Sequence, residues 1–214
     1  MLIVKNILEI IYLISAPVLV YLAYRGLRQI DEAKNQVLAT KESRIINAKR
    51  ESYKIAADKC EYYLTTIIPL INILDRAIRE NNIEYFEKST VTMTKNGMVT
   101  KQIFKDEDER FKILDLPTLD VYNRLEGFSI FFVSGVADEK VGFLTIGNTF
   151  CYSVKIYLPH LLRLSGQKYF NNVLELYSIW YNRLEKERLE TEKSNIDKAL
   201  NENNEIIIKT IGTE

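Results

Sequence analysis

Residues 10–24 read IIYLISAPVLVYLAY, and Arg25 and Arg28 follow at once. No side chain in this run carries a charge. With Ile7, Leu8 and Leu2-Ile3-Val4 it reaches spanning length, roughly 20 residues for a ~30 Å hydrocarbon core. Glu9 interrupts it. A cleaved signal peptide would need a small-x-small exit and a basic start. Tyr24-Arg25-Gly26-Leu27-Arg28 is a poor exit, and only Lys5 is basic before it. A buried core helix stays open, because the strictly uncharged run is short. Against it, the run is apolar on every face, and Tyr12, Tyr21 and Tyr24 stand where interfacial anchors stand. The expectation is a single transmembrane helix over residues 1–25.

Charge sets its expected direction. Arg25, Arg28, Lys34, Lys41, Arg44, Lys49 and Arg50 follow the run, and only Lys5 and the α-amino group precede it. The positive-inside rule then places the N-terminus outside and residues 25–214 in the cytoplasm. Pro17, mid-run, is expected to kink or loosen the helix. Tyr12, Ala16, Leu19, Ala23 and Gly26 share a face whose small residues allow close helix approach. That face suits self-association into a homo-oligomer, with a tetramer as the working number, although alanine is also common in such helices. Glu9 precedes the same face by a turn. Either it snorkels outward, or in an oligomer it forms an acidic ring at an outer pore mouth.

The rest of the chain reads as helical. Twenty-nine basic residues balance 29 acidic ones among 214, so overall charge does not mark a nucleic-acid binder. Eight glycines and four prolines favour helices over a sandwich or barrel. Residues 26–52 form the expected stalk, polar with a thin stripe through Leu27, Ile30, Val37 and Ile45. From Tyr53 the stripe thickens through Ile55, Ala56, Cys60, Tyr63, Ile67, Leu70, Ile71, Leu74 and Ile78, and the helix should enter a packed domain spanning 53–204. Pro69 should kink it there, and Asn81-Asn82 should end it.

Residues 89–105 turn β-rich around Asn96-Gly97, which predicts a hairpin over about 90–104. Asp106-Glu107-Asp108-Glu109 reads as a solvated link. A helix is expected over Leu119–Ser134, ended by Gly135 in a left-handed conformation. Asp138 should cap another, with Glu139 in its first turn, running to about Leu158 before Pro159 breaks or bends it. The last long helix is expected from Gln167 to about Asn201, and residues 205–214 form a short apolar tail. The expected fold is all-α: a transmembrane helix, a stalk helix and a cytosolic helical bundle with one small β-hairpin.

No catalytic motif is present: no GxSxG, phosphate loop, HExxH, CxxC or GxGxxG. One histidine and two unpaired-looking cysteines, Cys60 and Cys151, leave no zinc pattern, and no metal or cofactor is expected. Glu126, Asp138 and Glu139 could supply paired carboxylates, although capping accounts for the last two. The chain is therefore read as a non-enzyme.

Two windows lack acids. Residues 88–105 carry Lys95 and Lys101. Residues 141–174 carry Lys155, His160, Arg163 and Lys168 beside aromatics that include Tyr169. Basic groups next to aromatic rings suit a nucleotide or short oligonucleotide, anionic headgroups, or a merely solvated face. These seven residues are the candidate ligand surface.

The segment Val121–Pro159, VYNRLEGFSIFFVSGVADEKVGFLTIGNTFCYSVKIYLP, resembles a pattern of DUF4760-like bacterial single-pass membrane proteins. Asn123, Leu125-Glu126, Gly135, Asp138-Glu139, Gly147 and Pro159 match it, and the N-terminal run leading into a long helix with Ile68-Pro69 is similar too. The resemblance implies a helical cytosolic domain on a membrane stalk. Such an architecture recurs among phage-defence membrane effectors of the Hailong type, which implies a channel-like, ligand-controlled oligomer. A membrane-tethered scaffold or sensor without a pore is the other reading.

Overall fold

The computed structural model describes residues 2–94, 97–166 and 169–202, without the side chains of residues 2, 4, 7, 8, 11, 16, 201 and 202. Seven α-helices and one two-stranded antiparallel sheet make up the described residues, and helix dominates. The chain divides into two compact units, residues 1–51 and 52–214.

The first unit belongs to helix α1, Leu2–Tyr62, which continues through Pro17. Every residue of this unit whose burial is described is exposed except Ser15 and Gly26, which are half-buried. Among the described residues no helix is long and apolar enough to cross a membrane.

The second unit is a helical bundle. The end of α1 buries Ala56 and Cys60, and the stripe continues through Tyr63 and Ile67 to Ile71 and Leu74. Pro69 produces something other than a simple kink. A π-helical turn, Tyr63–Ile67, precedes α2, Ile68–Glu80, and places Pro69 in its first turn. The wide turn closes with the Ile68 N–H donating to the Tyr63 carbonyl. A proline crowds the carbonyl four residues earlier and cannot donate to it; widening the preceding turn relieves both problems.

Helix α3, Tyr85–Lys88, leads into strands β1, Thr90–Thr94, and β2, Gly97–Lys101. The hairpin is shorter than the expected 90–104. Its register pairs Thr90 with Lys101 and Thr94 with Gly97. Val91 and Met98 pack on the core, and alternate residues face out. Of the expected Asn96-Gly97 turn, Asn96 lies outside the described residues, as does Lys95 before it.

The acidic link is a correction. Asp106 caps helix α4, Glu107–Asp115, by accepting the Glu109 N–H at 2.8 Å. Glu109 is not solvated but 3% exposed. Its carboxylate accepts backbone N–H groups of Glu84 (2.6 Å), Tyr85 (3.0 Å) and Lys105 (2.6 Å). Three donors compensate the loss of water around one charge.

Helix α5 spans Thr118–Val133, and Gly135 follows at φ 73°. Asp138 caps α6 by accepting the Val141 N–H at 2.9 Å. Helix α6, Glu139–Ser165, runs on through Pro159 and does not end at about Leu158 as expected. The flanking residues Tyr157, Leu158, His160 and Leu161 are all buried, as is Pro159 itself. Burial at about 1.5–3 kcal/mol per large apolar side chain outweighs the ~3 kcal/mol a helix-interior proline costs. Helix α7, Asn171–Glu202, completes the bundle. The expected tail, residues 205–214, lies outside the described residues.

Two aromatic clusters fill the core. Trp180 meets Phe128, Phe132, Phe143 and Phe150 at centroid distances of 5.0–6.4 Å. Tyr122, Tyr157, Phe86, Tyr85 and Phe170 gather around His160 and one another. Gly142 lets α6 approach α5, since a Cβ there would lie 2.3 Å from Phe132 Cε1. Cys60 and Cys151 are both buried free thiols, and burial pushes the Cys151 thiol up to about 12.

Candidate functional site

Helix α6 sends Asn148, Cys151, Tyr152 and Lys155 along one face at helical spacing. Tyr152 is 74% exposed, an unusual position for a large ring. Three contiguous grooves meet at it. One, about 890 Å³, lies along α6 and α7 and includes Lys155, Tyr181, Leu184 and Arg188. The second, about 680 Å³, runs beneath β1 and shares Tyr152, Lys155 and Tyr181. The third, about 660 Å³, reaches Asp75, Arg79 and Glu87 and shares Tyr152.

The walls are aromatic. Tyr177 and Tyr181 stack at 5.4 Å and 16°. Burial pushes the Tyr177 phenol up, and the same cause acts on Tyr157. Tyr157 donates to Asp75 Oδ1 at 2.5 Å, which holds that carboxylate at the edge of the third groove.

Charge in the grooves is mixed. Arg188 is engaged by Glu185 (2.7 Å) and Glu192 (3.0 Å). Glu187 lines the first groove and Glu87 the other two. Lys155 makes no ion pair among the described residues. The site therefore offers two cations without an ion pair among the described residues, Lys155 and, in the third groove, Arg79, beside the exposed ring of Tyr152 and nearby acids. Such a surface can stack a planar ring and hold a single anionic group. Its acids oppose a long polyanion.

The seven sequence candidates do not converge. Lys155 lines two grooves. Arg163 is exposed, two turns further along α6, about 12 Å at 1.5 Å per residue. Its guanidinium lies 5.6 Å from the Phe104 ring. Lys101 ends β2 on the outward face. Tyr169 is exposed beside Phe170. His160 is not on the surface: it is 5% exposed, and its Nδ1 lies 3.1 Å from the Tyr122 hydroxyl. Burial, reinforced by Arg163, holds its pKa down to about 4, so the ring is neutral and shares one hydrogen bond with the Tyr122 hydroxyl. The helical period explains this placement, since His160 shares the inward face with Tyr157 and Leu161. Lys95 and Lys168 lie outside the described residues.

On the expected oligomer face, Glu9, Tyr12, Leu19 and Ala23 are exposed on α1, and the Ala16 side chain lies outside the described residues.

The three carboxylates Glu126, Asp138 and Glu139 are separately employed. Glu126 accepts the N–H groups of Asn172 (3.2 Å) and Val173 (3.0 Å) and the Asn172 side-chain amide (2.6 Å), capping α7 from α5. Asp138 caps α6, as above. Glu139 accepts from Trp180 Nε1 at 2.6 Å and Arg183 at 2.9 Å. Among the described residues no group of three or more His, Cys, Asp or Glu is placed to hold a metal ion.

Sequence reasoning counts Tyr152 among the aromatics of the 141–174 window and misses Tyr181 and Arg188. The i, i+3, i+4, i+7 face of α6 was a usable signal, but nothing in the sequence says which face its neighbours leave open. Against known proteins, no family model matches the chain, and neither a curated protein nor a solved structure does.

Proposed function

We propose that this protein is an oligomeric, channel-like membrane effector of bacterial phage defence. A ligand of its helical domain controls it. The observation that carries the reading is α1: one helix, Leu2–Tyr62, bears both the apolar run and the core residues Ala56 and Cys60. A ligand that binds two states of the domain differently could thereby bias the run.

The spacing along α1 supports self-association. Tyr12, Ala16, Leu19, Ala23 and Gly26 continue in the same alternating three- and four-residue steps through Ile30, Ala33, Val37 and Thr40. None of these nine positions is charged, while Arg28, Asp31, Glu32 and Lys34 lie off the seam. Parallel copies sharing one membrane orientation would meet along it.

For the ligand, the mixed charge around Lys155 favours a single nucleotide over an extended oligonucleotide. The test is ion flux from liposomes holding the purified full chain, with and without mononucleotides, for the native protein, Glu9→Ala and Lys155→Gln. Flux that responds to a nucleotide and changes in both variants supports the proposal. No flux under any condition, with function kept after the run is replaced by an unrelated transmembrane helix, establishes the tethered scaffold instead.

A further inference from the structure

At the C-terminal end of α6, two turns beyond Lys155, a pocket of about 180 Å³ is lined by Glu107, Arg110, Phe111, Leu114 and Arg163. Arg110 and Arg163 come from different helices and meet at one ring. Their guanidinium carbons lie 4.6 and 5.6 Å from the Phe104 centroid. Phe104 is itself stacked on buried Tyr85 at 4.6 Å and 24°. The ring is therefore a fixed platform, and its quadrupole favours cations placed over it.

Neighbouring cations are neutralised. Lys88 and Lys105 both pair with Glu84. Arg110 and Arg163 make no ion pair among the described residues, although Glu107 lies one turn before Arg110. His160 cannot share the charge, because it is buried and neutral. The buried Tyr85 hydroxyl also has no hydrogen-bond partner among the described residues. Two like charges converging on one pocket repel each other unless an anion sits between them.

We infer that Arg110 and Arg163 form a binding site for a small oxyanion, a phosphomonoester, with Phe104 as its platform. This site is separate from the grooves at Lys155 and does not depend on them. Paired guanidinium forks match phosphate oxygens geometrically, and the pocket has room for a phosphate group with an apolar substituent against Phe111. Glu107 acts against binding and sets its strength.

The test is calorimetric titration of the full chain in nanodiscs with phenyl phosphate. Arg110→Gln and Arg163→Gln should each weaken binding about tenfold or more, and the double variant should abolish it. Glu107→Gln should tighten it. Lys155→Gln should leave it unchanged, which separates failure here from failure of the groove reading. Trp180 fluorescence checks that each variant is folded. If phosphatidic acid in the nanodisc competes with phenyl phosphate, the natural source is a lipid headgroup; if it does not, the source is soluble. Absence of binding to the native chain at millimolar phenyl phosphate, equal binding by the folded double variant, or weaker binding by Glu107→Gln overturns the assignment.

Discussion

Glu109 Oε1 accepts the backbone N–H of Tyr85 at 3.0 Å, across 24 residues of chain. The same carboxylate binds Glu84 and Lys105, so one side chain ties the start of α3 to the segment after β2 and to α4. The hairpin between them is thereby closed at its base by a side chain.

Removing that carboxylate strands three backbone donors, one buried and two partly buried. Glu109→Ala should cost about 3–5 kcal/mol, since each unsatisfied buried group costs roughly 1–3 kcal/mol and some gain water. Urea denaturation followed by circular dichroism measures it. A loss no larger than that of an exposed-site variant such as Asp108→Ala would contradict the buried role.

Glu139 offers a spectroscopic check, because Trp180 is the only tryptophan. Its indole N–H donates to Glu139 at 2.6 Å, and Arg183 donates to the other oxygen. Glu139→Ala should change the Trp180 emission maximum and destabilise by about 2–3 kcal/mol, the range of a charge-assisted buried bond with its stranded partner. Unchanged emission and stability would remove this contact from the account.

His160 makes stability depend on pH with a definite sign. Its folded pKa is about 4 against 6.5 in its ordinary state. Between these values the unfolded chain binds more protons, so stability rises with pH there. The contribution is complete above pH 6.5 and disappears as pH falls towards 4, a change of order 3 kcal/mol. Denaturation curves at pH 7 and pH 4.5 should differ less in His160→Phe than in the native chain. Equal pH dependence in both would contradict burial of the ring.

Two glycines should respond oppositely to alanine. Gly142→Ala drives a Cβ into Phe132, whose ring is held by Phe128 at 4.9 Å and Trp180 at 5.5 Å. Overpacking should cost about 1–3 kcal/mol. Gly127, also helical, has nothing within 4 Å, and alanine there should stabilise by up to about 1 kcal/mol through helix propensity. Thermal melts of the two variants would show shifts of opposite sign.

Helix-forming stripes, the caps at Asp138 and Gly135, and the hairpin were legible because each depends on neighbours within a few residues. Helix α4 was written in the sequence too: Asp106-x-x-Glu109 has the spacing of a helix start, but four consecutive acids read more readily as solvent-facing. Pro69 and Pro159 looked alike in sequence. One sits where the turn before it could widen, while the other is held in α6 by buried residues on both sides.

The chain by itself determined a helical protein, the cap at Asp138 and the stop at Gly135, the apolar run from Ile10 to Tyr24 and the lack of familiar catalytic motifs. Those follow from local propensity, period and composition. Only the tertiary structure decided that Lys155 opens onto grooves while His160 turns inward, that Glu126 and Glu109 serve helices distant in sequence, and that Arg110 meets Arg163 over Phe104. Such pairings depend on which helix faces are covered. Non-directional burial of many side chains together sets that, and no short stretch of sequence contains it.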